Sequence, residues 1–258
     1  MTNKPCNAMT LEELEAALKK LRLSNMAAAL KEVAEAPQYQ DMSFEKRLGI
    51  LVYRELETRR SKRADRCLQR SGLKALEPFN QADWDKVIRE KGRKLDTELI
   101  QRLLSCQWIK EGGHNLLIEG PTGTGKTWIL ALLGKIACEQ GLSVMYVRCN
   151  RLVELIEDAL KHSETATLRN KLNSNQLLII DDFVADPFKP EITATLLAIL
   201  DERIGNSSVA IASQVAFEEW HTALGSNHNA EAIIDRLFND GYKIELSGRS
   251  LRERRKLK

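Results

Sequence analysis

The segment Asn115-Leu116-Leu117-Ile118-Glu119-Gly120-Pro121-Thr122-Gly123-Thr124-Gly125-Lys126-Thr127 decides the fold. Its apolar run, Leu116-Leu117-Ile118, predicts a short buried strand, and an amphipathic helical pattern opens at Lys126-Thr127. Between them Gly120–Thr127 spells G-x-x-x-x-G-K-T, a phosphate-binding loop in the strand–loop–helix setting that the motif requires. Glycines let backbone N–H groups curl round an anion with no Cβ in the way, and the helix N-terminus adds unpaired donors. Gly120, Pro121, Thr122, Gly123, Thr124 and Gly125 are expected to form the cradle, Lys126 to reach the β- and γ-phosphates, and Thr127 to ligate Mg²⁺. The loop implies a nucleoside triphosphate.

A second apolar run, Leu177-Leu178-Ile179-Ile180, ends in Asp181-Asp182. Ligands of open α/β sheets bind beyond the carboxyl ends of the strands, so these acids can face the phosphate loop. Asp181 is expected to hold Mg²⁺ through water, and Asp182 to orient or deprotonate an attacking water. The next strand, Val209-Ala210-Ile211-Ala212, ends in Ser213-Gln214, whose side chains can meet the γ-phosphate or that water. Arg236 lies on a helix whose apolar face is Ile233, Ile234 and Leu237. Arginine stabilises a transferring phosphoryl group, often from a neighbouring subunit.

Outward from these motifs the pattern alternates strand and helix, as an α/β domain should. Helices are predicted over Ile129–Gln140 with Gly141 as C′ residue, from a cap at Asn150 through Lys161, and from Pro190 to Ile204. Two more follow around Glu218–Leu224 and Ala230–Asn239, while residues 162–175 are ambiguous. Val144–Val147 and Tyr242–Leu246 complete a set of five strands. Before the loop, Leu95–Ile109 predicts a single helix stopped by Gly112-Gly113, and Gly72–Asn80 has the composition of a linker. Further upstream the reading is all-helical. Thr10 and Glu13 have capping-box spacing, Ser24-Asn25 breaks the first helix, Pro37 ends the second, and a long helix starts near Ser43 with Phe44, Leu48, Leu51, Val52 and Leu56 on one face. The expected domains are a helical one over 1–72 and an ATPase-type α/β one over 73–258.

A hydrophobic content of 43% is ample for a globular core, and no apolar run approaches the ~20 residues of a membrane span. The N-terminus lacks a secretory pattern, and five scattered cysteines without a C-x-x-C pair argue for thiols in a reducing cytoplasm. Cys138 and Cys149 are expected in the core. The net charge of +3 is unevenly spread. Arg59, Arg60, Lys62, Arg63, Arg66, Arg70 and Lys74 face Asp65 alone, and Arg249, Arg252, Arg254, Arg255, Lys256 and Lys258 face Glu253 alone. Such clusters suit a polyanion, most simply a nucleic-acid backbone bound without sequence preference.

Taken in order, these motifs resemble the AAA+ ATPases of the initiator and helicase-loader group, above all the IstB-type transposition helpers and next the DnaC-like loaders. The residues that carry the resemblance are the Arg-rich run, Ala75–Asn80, Gly120–Thr127, Leu178–Asp182, Ser213-Gln214 with Trp220-His221, Ala232–Leu237 and Gly248–Arg252. The resemblance implies an AAA+ core, a five-stranded parallel sheet with helices on both faces, without a C-terminal lid. It implies ATP with Mg²⁺, Asp182 in the place of the catalytic acid, Gln214 at the sensor-1 place and Arg236 as an arginine finger for the neighbouring subunit's ATP. Arg249 or Arg252 can stand in for the sensor-2 arginine, and Phe79 and Asn80 can touch the adenine. The implied partners are duplex DNA, a transposase and further copies of the chain. The rival readings are a DnaC-like loader of a replicative helicase, a small-molecule phosphotransferase sharing the loop, and an ATP-binding switch with little turnover.

Overall fold

The five expected strands are β1 (Asn115–Glu119), β2 (Val144–Arg148), β3 (Leu177–Phe183), β4 (Ser208–Ser213) and β5 (Gly241–Glu245). All pairings are parallel, in the order β2-β3-β4-β1-β5. Strand β4 thus separates the strand of the phosphate loop from the strand of the two aspartates. The structure is a computed structural model and describes residues 9–76, 96–239, 241–248 and 250.

Alternation along the strands makes two cores. Leu116, Ile118, Leu177, Ile179, Ala210 and Ala212 pack on one face with Ile129, Leu130 and Leu133 of the helix Lys126–Glu139. Leu117, Leu178, Ile180, Val209 and Ile211 pack on the other face with Ile156, Leu196, Ile199, Ile233 and Leu237. Those come from the helices Cys149–Lys161, Pro190–Asp201 and His228–Phe238. Burial on both faces explains why the strands read as unbroken apolar runs. The helix that follows the phosphate loop is closely fitted to the sheet. A Cβ on Gly134 would fall 2.6 Å from Leu73 Cδ1 and 2.8 Å from Ile179 Cδ1.

The helix after the phosphate loop ends as expected with Gly141 at C′, in a Schellman turn where Leu142 N donates to Ala137 O at 3.0 Å and Gly141 N to Cys138 O at 2.9 Å. Other expectations shift. The expected helix 95–109 is instead two, Thr97–Leu104 and Gln107–Lys110, parted at Cys106, whose φ is +55°. Trp108 turns back there to donate from Nε1 to Leu103 O at 3.1 Å. Asn150 is not a cap, since its helix already begins at Cys149, and its Oδ1 accepts from Arg151 N at 2.7 Å. The ambiguous stretch contains a helix, Thr165–Asn173. Residues 77–95 lie outside the described residues, so the reading of the linker stops at the 3-10 turn Leu73–Leu76.

The chain falls into two compact units, Met1–Arg63 and Ala64–Lys258. In the first, Thr10 and Glu13 form the expected capping box on the helix Leu11–Lys20, and the helix Ser24–Glu35 follows the break. Pro37 opens a short helix, Pro37–Gln40, because proline fits a first turn. Glu55, 5% exposed, accepts from Asn25 N at 2.8 Å and Met26 N at 2.9 Å, satisfying the start of Ser24–Glu35. The long helix Phe44–Ser71 lays only Leu51 of its expected face into the small core with Ala29 and Val33. Phe44, Leu48, Val52 and Leu56 stay exposed, because the stripe is wider than the surface these small residues offer.

Candidate active site

The phosphate loop has the backbone that its glycines foretell. Gly123 and Gly125 sit at φ +83° and +100°, and Gly125 is the N-cap of Lys126–Glu139. Thr124 Oγ1 donates to Pro121 O at 2.8 Å and closes the loop. Lys126 is buried and donates from Nζ to Gly120 O at 2.6 Å and Pro121 O at 3.0 Å. The ammonium thus lies along the rim of its own loop, beside the helix N-terminus, where an anion finds both charge and backbone donors. These residues fit a triphosphate. Beside them a cavity of about 700 Å³ opens at the ends of β1, β4 and β5, lined among others by Asp96, Leu99, Glu119, Gly120, Gln214 and Leu246. That volume is in the range of a small-molecule site.

The two aspartates part company at a bulge. Ile180 pairs with Ile211 but Phe183 pairs with Ser213, so β3 carries one residue more than β4. Asp182 absorbs the extra residue at φ +54°, a left-handed backbone that aspartate tolerates. Asp181 continues the face of Leu177 and Ile179, toward the helix of the phosphate loop, and is 1% exposed. Its carboxylate accepts from Tyr146 Oη at 3.0 Å, from Asp182 N at 3.1 Å and from the Thr127 hydroxyl. Burial pushes this carboxyl above the usual range, and the charge of Asp182 adds to the shift against the hydrogen bonds of Thr127 and Tyr146. Among the described residues no three His, Cys, Asp or Glu side chains gather to hold a metal by themselves. A hydroxyl beside one carboxylate is the hard oxygen set that suits Mg²⁺ when phosphate supplies the remaining ligands.

Gln214 joins the two halves of the site. Its Oε1 accepts from Thr122 Oγ1 of the loop at 2.5 Å, and its Nε2 lies 3.4 Å from Asp182 Oδ1. Ser213 is fully buried and structural, donating to Phe183 O at 2.8 Å and accepting from Val215 N at 3.0 Å. Arg236 belongs elsewhere. Its guanidinium pairs with Asp201 and donates to Ala232 O at 3.0 Å, and its backbone O accepts from Asn115 Nδ2 at 3.0 Å. Asn115 opens β1, whereas the phosphate loop follows its last residue, so Arg236 lies at the opposite end of the sheet.

The model of the IstB-like ATP binding protein family matches residues 16–258. The chain belongs to this family. A Sinorhizobium fredii relative named as insertion-sequence ATP-binding protein y4pL is 34% identical over 93% of this chain and 96% of its own length. A Pseudomonas fluorescens relative, named as the ATP-binding protein of insertion sequence IS1162, is 38% identical over 77% of this chain and 84% of its own. Among solved structures, domain III of the Thermotoga maritima replication initiation protein DnaA superposes with a TM-score of 0.52 at 20% identity. The match covers 66% of this chain and 69% of that one. That likeness gives the fold alone: a five-stranded parallel sheet covered by helices.

In this IstB-like chain the sequence reading missed three contributors. Tyr146 is one. Asn115 is another, its Oδ1 accepting from Val209 N at 3.1 Å while its Nδ2 holds Arg236. Glu119 is the third, accepting from Phe217 N at 2.5 Å, with its carboxyl raised first by burial. None lies in a motif; each acts across strands. The thiols Cys106 and Cys149 are core residues, pushed up to about 11 by burial and so poor nucleophiles at neutral pH. Arg59, Arg60, Lys62, Arg63, Arg66 and Arg70 are exposed along Phe44–Ser71, and Arg59 also pairs with Glu55 at 2.6 Å and donates to Arg22 O. Among the described residues no helix is long and apolar enough to cross a membrane. Phe79, Asn80, Arg249 and Arg252 lie outside the described residues.

Proposed function

We propose that this IstB-like protein is an ATPase that assembles on duplex DNA and assists a transposase, hydrolysing ATP where two copies of the chain meet. What supports the reading is the division of the candidate catalytic groups. Lys126, Thr127, Asp181, Asp182 and Gln214 gather at the phosphate loop, while Arg236 is tied to the far end of the same sheet. An arginine that cannot reach its own nucleotide suits a neighbour's.

In this reading Lys126 leaves its loop carbonyls for the phosphates, and Thr127 and Asp181 hold Mg²⁺. Bound there, Mg²⁺ would neutralise charge on the β- and γ-phosphates. Asp182, aimed by the bulge, takes the proton of the attacking water, which Gln214 steadies from the side of the loop. The nucleoside occupies the cavity beside Gly120. The helical region through residue 72 supplies the contact with DNA, through Arg59, Arg60, Lys62, Arg63, Arg66 and Arg70 against the phosphate backbone. The insertion-sequence origin of the relatives supports a transposase as partner.

The test is steady-state hydrolysis with and without duplex DNA. Duplex should raise the rate, and Asp182→Asn should keep ATP binding while losing about 100-fold or more in turnover. A chain that hydrolyses nothing on any duplex, or that phosphorylates a small acceptor instead, overturns the reading.

A further inference from the structure

Tyr146 belongs to no motif, yet it touches the site at both ends. It stands on β2, the edge strand next to β3, in register with Ile179. That register puts its ring on the face of the sheet that carries Asp181, and its hydroxyl donates to Asp181 Oδ2 at 3.0 Å. Arg148, two residues on and exposed, brings its positive charge beside the same hydroxyl. An ionised carboxylate can only accept, so the hydroxyl proton is directed at Asp181.

The consequence for Asp181 follows from counting acceptor sites. A carboxylate offers about four lone-pair positions. Tyr146, Asp182 N and Thr127 engage it, which fixes its rotamer and leaves an acceptor position for the water shell of a cation. A buried carboxylate without such donors would be charged at greater cost and freer to turn.

The backbone of Tyr146 meets a different element. The helix Phe44–Ser71 stops at Gly72, whose φ is +81°. A Cβ there would stand 3.1 Å from Tyr146 O and 3.8 Å from its Cδ1, so the end of the helix rests directly on this residue. Leu73, fully buried, follows between Gly134 of the phosphate-loop helix and Ile179 of β3.

We propose that Tyr146 is a positioning residue: seated against Gly72, it holds Asp181 for the Mg²⁺ of bound ATP and links that grip to the basic helix. The inference rests on the reading above, in which Asp181 serves Mg²⁺ and the helix meets DNA. It adds a route by which DNA reaches the metal side of the site, through one hydroxyl that is not itself a ligand.

The experiment titrates Mg²⁺ against a fluorescent ATP analogue on the full chain, wild type and Tyr146→Phe, with and without duplex DNA. Loss of a partner that orients a metal ligand should raise the half-saturating Mg²⁺ about 10-fold, while affinity for the analogue in EDTA is unchanged. Duplex should lower the half-saturating Mg²⁺ of the wild type and leave that of the variant where it was. A merely structural tyrosine would weaken binding equally in EDTA and in Mg²⁺. Should Y146F fail to fold, Arg148→Ala removes the exposed charge beside the hydroxyl and should move Mg²⁺ dependence in the same direction. Wild-type Mg²⁺ dependence in Y146F or R148A overturns the positioning role, and a wild type indifferent to duplex overturns the link to the helix. Because binding is read without turnover, a wild type that never hydrolyses ATP sinks the ATPase reading and still leaves Tyr146 judged.

Discussion

If Arg236 serves a neighbour's ATP, two inactive variants should rescue each other. Lys126→Ala removes the ammonium proposed to meet the phosphates, and Arg236→Ala removes the proposed finger. Asn115 anchors the Arg236 backbone at the first residue of β1, and the loop begins after Glu119, the last. Four residue steps of strand span about 13 Å before the loop even starts, so one chain cannot bring the two groups together. Loss of an arginine finger lowers turnover by about 10³-fold or more, so each variant alone should be near background. In an equal mixture, half of the contacts present an intact loop, and half of those face an intact Arg236. About one quarter of wild-type activity should therefore return. The pairing with Asp201 does not forbid this, because Asp201 is 44% exposed and such surface pairs are worth roughly 0–1 kcal/mol. The assay is phosphate release on saturating duplex across mixing ratios, which should peak at equal proportions. A mixture no more active than the sum of its parts would refute the trans assignment, and so would an R236A chain with full activity alone.

Asn115→Ala leaves Val209 N and Arg236 O without their buried partner, which should destabilise the α/β unit by about 2–3 kcal/mol in a denaturant titration. Neutralising Arg60, Lys62, Arg63 and Arg66 together should weaken duplex binding alike for all sequences and reduce the slope of log affinity against log salt by about 3–4; an unchanged slope would move the DNA face elsewhere. Burial raises the Glu55 carboxyl, but hydrogen bonds from Met26, Arg59 and Asn25 more than reverse it, so its folded value lies below the usual range. It therefore contributes stability that is present above its unfolded value of about 4.3 and is lost as pH falls through the lower folded value. Amide protection at Asn25 and Met26 should fall on acidification through that window in the wild type, and should be low and flat with pH in Glu55→Gln.

What the sequence discloses here is what neighbouring residues decide among themselves. The phosphate loop is legible because the glycines that need left-handed backbone, the lysine and the following helix are contiguous, and the structure adds only where Lys126 rests. The strands are legible because both faces of the sheet are covered, so apolar runs such as Leu177–Ile180 stand out. The break at Cys106 is not legible, since cysteine carries no turn signal and only the packing of Trp108 shows why the chain reverses there. Periodicity on the long helix found a face but not its cover, and Phe44, Leu48, Val52 and Leu56 are consequently exposed. The site divides along the same line. Asp181-Asp182 can be read as acids at a strand end, but which of them is buried follows from the bulge, and the bulge is a mismatch with β4 that β3 alone does not announce. Tyr146 is the extreme case. An aromatic residue in an edge strand is ordinary core material by composition, and only the register of β2 on β3 brings its hydroxyl to Asp181. Motifs name the groups proposed to do the chemistry, register alone reveals the group proposed to hold them, and in this chain the second kind also touches the end of the helix proposed to meet DNA.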